Sequence, residues 1–220
     1  MPREVKTNIA TWKRMCPDYE IIEWNESNFN VLDHPFCSAA YKAGAWAFAS
    51  DYARLKIVYE HGGTYLDTDI ELLKNLDFLL DHSFWIGVGQ QNRLCTTGLG
   101  FGAEAKNEVV DQMLEMYNNL EFDNERRSEI ACPWLNHRVV ESMGYTNSDE
   151  IESIGRAVIY PRRYFDPIAP GRDKLNLLCD ETVSIHHYAN SWGTPLSVMK
   201  RRLIQFVGLE RVDRIKRMLG

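Results

Sequence analysis

The sequence predicts an α/β sandwich, and three observations predict it. Strand-like and helix-like runs alternate along the chain, the 45% hydrophobic content suffices for a sizeable core, and no linker divides the 220 residues. Val5, Ile9 and Trp12 follow i, i+4, i+7, so residues 3–15 should form an amphipathic helix. "YEIIEW" (19–24) reads as a short strand. Residues 38–61 are Ala-rich and long enough for one core helix, with Gly62-Gly63 as its stop. "TYLD" then reads as a strand, and so do "FWIGV" (84–88) and "GLGFGA" (98–103), whose glycines suggest close backbone approach. Residues 107–120 and 127–142 are expected to be helical, and "VIY" (158–160) and "TVSIHH" (182–187) return to strand. Trp46, Phe48, Trp85 and Phe101 are expected in the core.

The formal charge of −6 argues against nucleic acid as a partner, but it is unevenly spread. From Leu196 to Gly220, seven Lys/Arg face only Glu210 and Asp213, so this tail carries 7 − 2 = +5 and the remainder −11. The tail reads as one or two amphipathic helices, resting on an anionic membrane surface or simply solvated. Five scattered cysteines without a CxxC spacing read as reduced, mostly buried thiols of a cytosolic protein. No run approaches the ~18 apolar residues of a membrane span, and the N-terminus shows no signal-peptide apolar segment.

The chemistry concentrates in "YEHGGTYLDTDIELL" (59–73). On a strand, Asp67 and Asp69 would point the same way, roughly 6–7 Å apart. At that separation they repel by a few kcal/mol at an effective dielectric of about 20, which a cation or protonation must offset. Mg²⁺ or Mn²⁺ suits such a pair, because these ions add substrate phosphates to one or two protein carboxylates. A solvated turn carrying two acids is the plain alternative. Asp51 and Arg54 lie three apart on the preceding helix, which is apolar almost all round, and a buried charge needs a partner. Gly62-Gly63 allows the reversal that returns Tyr65, Asp67 and Asp69 alongside that helix.

"SDYARLKIVYEHGGTYLDTDIELLKNL" (50–76) resembles the S-D-x-x-R-x-x-x-L-x-x-x-G-G-x-Y-x-D-x-D signature of glycosyltransferase family 32, with Val58 in place of the Leu. That family contains capsular-polysaccharide enzymes and yeast initiating mannosyltransferases. "TWKRMCPDYEIIEWNE" (11–26), "YPRRYFDPI" (160–168) and "IHHYANSW" (185–192) are similar to further family segments, so the resemblance spans nearly the whole chain. It implies a glycosyltransferase-A type, Rossmann-like α/β/α sandwich with a mixed sheet, residues 1–195 forming the catalytic domain. It also implies retaining transfer of a hexose from a nucleotide-sugar, expected to be a UDP-sugar, to a saccharide or lipid-linked acceptor. The implied setting is surface polysaccharide synthesis in the cytoplasm or peripherally on the inner membrane face, with Mn²⁺ or Mg²⁺ as cofactor. Asp69 would ligate the metal directly, Asp67 would reach the metal and the ribose or sugar, and His186 would complete the metal shell. Asp51 and Arg54 would bind donor hydroxyls and phosphate, Tyr65 would pack near the ribose, and Ser191 and Trp192 would close over the donor. Tyr65 and Trp192 have core packing as their alternative, and His187, facing away from His186 on a strand, reads as structural.

Two departures stand out. Relatives carry an opening strand before the first helix, whereas this sequence starts at that helix, so either its start is truncated or the domain is expected to work without that strand. Cys132 in "ACPWLNHRVV" (131–140) stands where relatives often have glycine. The rival functions are a degenerate nucleotide-sugar-binding module and a D-x-D phosphatase, which would need a downstream Lys and acidic pair that are not evident.

Overall fold

The structure is a computed structural model that describes residues 1–169 and 175–189. The tail 196–220, Ser191 and Trp192 lie outside the described residues. Helix α1 (Arg3–Met15) forms where expected. Its buried residues are polar, Asn8 and Thr11, for a reason that reaches the site. Asn8 Nδ2 donates to Thr68 O (3.0 Å), Trp12 Nε1 to Ile70 O (2.7 Å), and Thr11 Oγ1 accepts from the Leu72 N–H (2.9 Å). These three side chains satisfy backbone groups that would otherwise be stranded in a buried place.

The single helix expected over 38–61 is instead two, α2 (Pro35–Lys42) and α3 (Trp46–His61). Gly44 has φ +68°, and the Ala45 N–H reaches back to Ala40 O (2.9 Å), a glycine C-cap that stops α2. Alanine content signalled helix but not its interruption. The proposed strand 19–24 is absent. Ile21 and Ile22 are exposed, so the apolar pair meets no core there, and no described strand pairs with the segment.

Beyond α3 the chain builds a five-stranded mixed sheet from β1 (Gly63–Tyr65), β3 (Phe84–Gly87), β4 (Phe101–Ala103), β5 (Glu152–Ile154) and β6 (Ala157–Tyr160). The order is β1-β4-β3-β6-β5; only β3 and β6 run parallel, Phe84 opposite Ala157 through Gly87 opposite Tyr160. A second, two-stranded sheet pairs β2 (Ile70–Leu72) with β7 (Ser184–His186), placing Ile70 opposite His186. Helices α4 (Glu108–Asn118) and α5 (Cys132–Ser142) pack with α3 on one face of the main sheet, around Leu55, Phe84, Ile86, Phe101, Val110, Met113 and Val140. Asn107 caps α4, its side chain accepting from the Val109 and Val110 N–H groups. The opposite face holds Ile70, Leu72, Trp85, Val158, Tyr160 and Phe165 of the short α6 (Arg162–Phe165), with Trp12 packed beside them. The fold is therefore the α/β arrangement with a mixed sheet that the sequence predicts.

Trp85 and Phe101 are core residues and Phe48 packs partly buried, but Trp46 is 40% exposed at the first turn of α3, against the core expectation. Four cysteines are buried, Cys179 is exposed, and none is paired. Among the described residues, no helix is long and apolar enough to cross a membrane.

Candidate active site

Gly62 makes the reversal after α3. It has φ +70°, and a Cβ there would lie 2.9 Å from Ala105 N, so the close passage of α3 against residues 103–105 needs glycine. The chain runs through β1 and then leaves strand geometry. Residues 67–70 form a turn, closed by the Ile70 N–H to Asp67 O (3.0 Å), that leads into β2. The expected strand alternation at Asp67 and Asp69 is thus replaced by a turn. Both aspartates still line one cavity of about 290 Å³, together with Ser50, Asp51, Arg54, Tyr65, Thr96, Gly98, Cys132, His186 and Tyr188.

Their carboxylates belong to different networks. Asp67 Oδ1 accepts from Tyr65 OH (2.6 Å) and lies 3.5 Å from Arg54 Nη2. Asp69 Oδ2 lies 3.2 Å from His186 Nε2 and accepts from the Ala189 N–H (3.0 Å). Repulsion between the two acids is therefore offset by Arg54 on one side and an imidazole on the other. Burial works against charge on Asp69, but His186 and the Ala189 N–H outweigh it and hold the carboxyl below the ordinary aspartate range. At His186, burial disfavours the charged ring, while the bond to Asp69 and the nearby Asp166 and Asp67 favour it; the outcome is a raised pKa.

Arg54 is the centre of the other network. It sits 5% exposed, 3.0 Å from Asp51 Oδ1, and donates from Nε to Ser50 O and from Nη2 to Ser50 Oγ (both 3.2 Å). Its guanidinium lies 4.7 Å over the Tyr65 ring. Burial pushes Asp51 up, and Arg54 with the Cys132 thiol and N–H pulls it back, leaving it above the ordinary value. Arg54 and the Cys132 thiol and N–H thus all point donors at Asp51. Cys132, the departure from glycine, lines this cavity with its thiol held protonated, first by burial and then by Asp51.

His186 faces the cavity and His187 faces out, its Nε2 2.8 Å from Glu71 Oε2 on the surface. Here strand alternation does operate, because β7 pairs residue for residue with β2. Thr96, Tyr188 and the neighbouring Asp166 were not singled out by the sequence. Gly98 is one of the glycines expected at a close approach, and a Cβ there would stand 2.9 Å from Asp67 Oδ2 and 3.4 Å from Arg54 Nη1. Among the described residues, no three His, Cys, Asp or Glu side chains cluster as a ready-made metal site.

Residues 2–85 match the family model described as "Glycosyltransferase sugar-binding region containing DXD motif". Inositol phosphoceramide mannosyltransferase 3 of Schizosaccharomyces pombe is 29% identical over 89 residues, 39% of this chain and 25% of that one. Lactosylceramide 4-alpha-galactosyltransferase of Rattus norvegicus is 25% identical over 170 residues, 70% of this chain and 44% of the relative. The chain thus spans a quarter to under half the length of these curated relatives. Among solved structures, the PaToxG glycosyltransferase superposes with TM-score 0.47 at 17% identity, covering 64% of this chain and 63% of that one. Asp51, Arg54, Tyr65, Asp67 and Asp69, which gather around one cavity, all lie inside the matched region. Residues 2–85 are thus similar to the DXD-containing sugar-binding region of glycosyltransferases.

Proposed function

We propose that this protein transfers a hexose from a nucleotide-sugar, a UDP-sugar by preference, to a saccharide or lipid-linked acceptor with retention at the anomeric carbon. The observation that carries the proposal is the pairing of Asp69 with His186 across the same cavity in which Arg54 holds Asp67 and Asp51. The lining holds three carboxylates against Arg54 and His186. A diphosphate entering such a cavity needs an accompanying cation, since otherwise like charges meet in a poorly screened place.

The donor set fits that cation. Asp69 Oδ2 and His186 Nε2, 3.2 Å apart on the cavity wall, are an oxygen and a nitrogen donor of the kinds such an ion would take. Asp69 and His186 would hold Mn²⁺ or Mg²⁺, with Asp67 reaching it or the ribose, and substrate phosphate and water would complete the shell. When bound, the ion supplies Lewis-acid stabilisation of the negative charge that grows on the leaving nucleotide. The chain's own residues do the remaining work. Arg54, charged and immobilised by Asp51, Asp67 and Ser50, presents a fixed positive edge to donor phosphate or hydroxyl oxygens. Asp51, buried and held from three sides, can accept hydrogen bonds from sugar hydroxyls without moving. Tyr65 fixes the carboxylate plane of Asp67 through its hydroxyl. Gly98 keeps the space beside Asp67 and Arg54 open. Ser191 and Trp192 would close over the bound donor. None of the lining carboxylates is free of partners as a nucleophile would be, which supports front-face attack assisted by the leaving phosphate.

The relatives are named as an inositol phosphoceramide mannosyltransferase and a lactosylceramide galactosyltransferase. They support hexose transfer to a lipid-linked acceptor, reached at an anionic membrane surface through the basic tail 196–220. A panel of nucleotide-sugars incubated with the protein and Mn²⁺ tests the proposal. Release of free nucleotide and glycoside supports it. Inorganic phosphate as product would support the D-x-D phosphatase, and turnover of no donor, with binding retained, would mark a degenerate module.

A further inference from the structure

Two buried polar atoms near the cavity lack hydrogen-bond partners, and they belong to neighbouring groups. One is His186 Nδ1, on the ring whose Nε2 meets Asp69. The other is Oδ1 of Asp166, a fully buried carboxylate. Asp166 does not line the cavity, and its second oxygen is fully used. Asp166 Oδ2 accepts from the Gln90 N–H and from Tyr188 OH, each at 2.6 Å. The carboxylate cannot rotate without breaking both bonds. Gln90 is anchored in turn, its Nε2 donating to the carbonyls of Asp166 (3.1 Å), Pro167 (2.9 Å) and Leu175 (3.2 Å).

Tyr188 joins the two unpartnered atoms. Its hydroxyl binds Asp166, and its ring packs 4.0 Å, centroid to centroid, from the His186 ring. It has φ +51°, a left-handed conformation that a bulky residue adopts only when its surroundings enforce it. Burial lifts Asp166 above the ordinary aspartate range, and the Gln90 N–H, Tyr188 hydroxyl and His186 ring oppose that lift; Asp166 in turn favours the charged His186 ring. An unpartnered buried polar atom destabilises the fold, a penalty that one molecule touching both would remove. A buried water does this where polar groups converge beyond direct hydrogen-bond reach.

We propose that a single bound water bridges His186 Nδ1–H and Asp166 Oδ1, making Asp166 the positioning residue that keeps the Nδ1 proton in place and aims Nε2 at Asp69 and the cavity. A histidine that ligates a metal through one nitrogen commonly donates the other N–H to a carboxylate, which fixes the ring and its tautomer. Asp166, twenty residues earlier in the chain, supplies that carboxylate through the water. The consequence for cation binding rests on the transferase reading above; the bridge itself does not.

The tests separate these two layers. A crystal structure of the unaltered protein at a resolution that shows ordered waters should place one water within hydrogen-bond distance of both atoms. A different partner on either atom overturns the proposal. Ring ¹⁵N NMR of the metal-free protein should show His186 Nδ1 protonated. In Asp166→Asn the amide oxygen must take the Oδ2 position, because the Gln90 N–H and Tyr188 OH need an acceptor there. Its NH₂ then presents donors where Oδ1 accepted, so the water loses its carboxylate acceptor and the His186 Nδ1 signal should move from its position in the unaltered protein. Mn²⁺ binding measured by electron paramagnetic resonance without donor should weaken about 10–100-fold. A purely structural Asp166 would lower the melting temperature and leave both the ring signal and the Mn²⁺ affinity unchanged. Should Asp166→Asn not fold, the water in the unaltered protein still decides. Bridging water and Nδ1–H in a protein that binds no Mn²⁺ would uphold the bridge and overturn the transferase reading.

Discussion

Arg54→Met removes one charge and keeps most of the apolar volume, so it isolates what the guanidinium contributes. Arg54 is 5% exposed and its ion-pair partner Asp51 has a side chain only 12% exposed, so the substitution strands a buried carboxylate. Breaking a buried pair in this way costs about 3–5 kcal/mol. The contact with Asp67 adds little, because that side chain is 29% exposed and water screens it. In a domain of this size 1 kcal/mol moves the midpoint by roughly 2–4 °C, so the expected drop is roughly 6–20 °C by calorimetry at pH 7. The pH dependence gives a sharper check. Burial already lifts Asp51 above the ordinary aspartate value, and losing Arg54 lifts it further. A carboxyl whose folded pKa exceeds its unfolded pKa penalises folding in full above the folded pKa. The penalty shrinks as pH falls below that value, because the folded state then binds the proton, and is gone below the unfolded pKa. The deficit of Arg54→Met should therefore shrink on acidification, and Arg54→Met/Asp51→Asn should recover most of it at pH 7. A loss below about 1 kcal/mol, or a deficit independent of pH and of Asp51→Asn, would refute the reasoning that Arg54 compensates a buried charge.

Four further outcomes are expected. Gly98→Ala places a methyl 2.9 Å from Asp67 Oδ2; donor KM should rise by about an order of magnitude while Arg54 and Asp67 stay folded, and steady-state hydrolysis read beside the melting temperature checks this. Chelation should abolish sugar transfer, with Mn²⁺ restoring it better than Mg²⁺; full activity in chelator would remove Asp69 and His186 from a metal role. His186→Ala should raise the Mn²⁺ concentration for half-activity about 10–100-fold, whereas His187→Ala, whose partner is the surface Glu71, should leave metal dependence unchanged and cost at most about 1 kcal/mol. Deleting 196–220 should weaken sedimentation with anionic vesicles at low salt more than it weakens donor hydrolysis; equal vesicle binding would return the tail to a solvated role.

By itself the sequence determined the class of fold, the helices expected at 3–15, 107–120 and 127–142, the last of which begins only at Cys132, and the cluster of Asp51, Arg54, Tyr65, Asp67 and Asp69. These rest on local features: periodicity, two glycines that stop a helix, and charges placed within twenty residues of one another. Tertiary structure decided the rest, where the partner lies far along the chain. Residues 19–24 have strand-like composition but meet no sheet edge, so the two isoleucines stay exposed. Asp67 and Asp69 occupy a turn and not a strand, because β2 leaves the main sheet to pair with β7, and that pairing brings His186 opposite Ile70. Polar Asn8 and Thr11 are buried because the backbone of residues 68–72 needs partners, a demand no helical periodicity records. Asp166 acquires its place beside His186 only through Tyr188 and Gln90, one of them seventy-six residues away along the chain. Local interactions are written in neighbouring residues, whereas a buried hydrogen bond between distant ones exists only once the chain has closed around it.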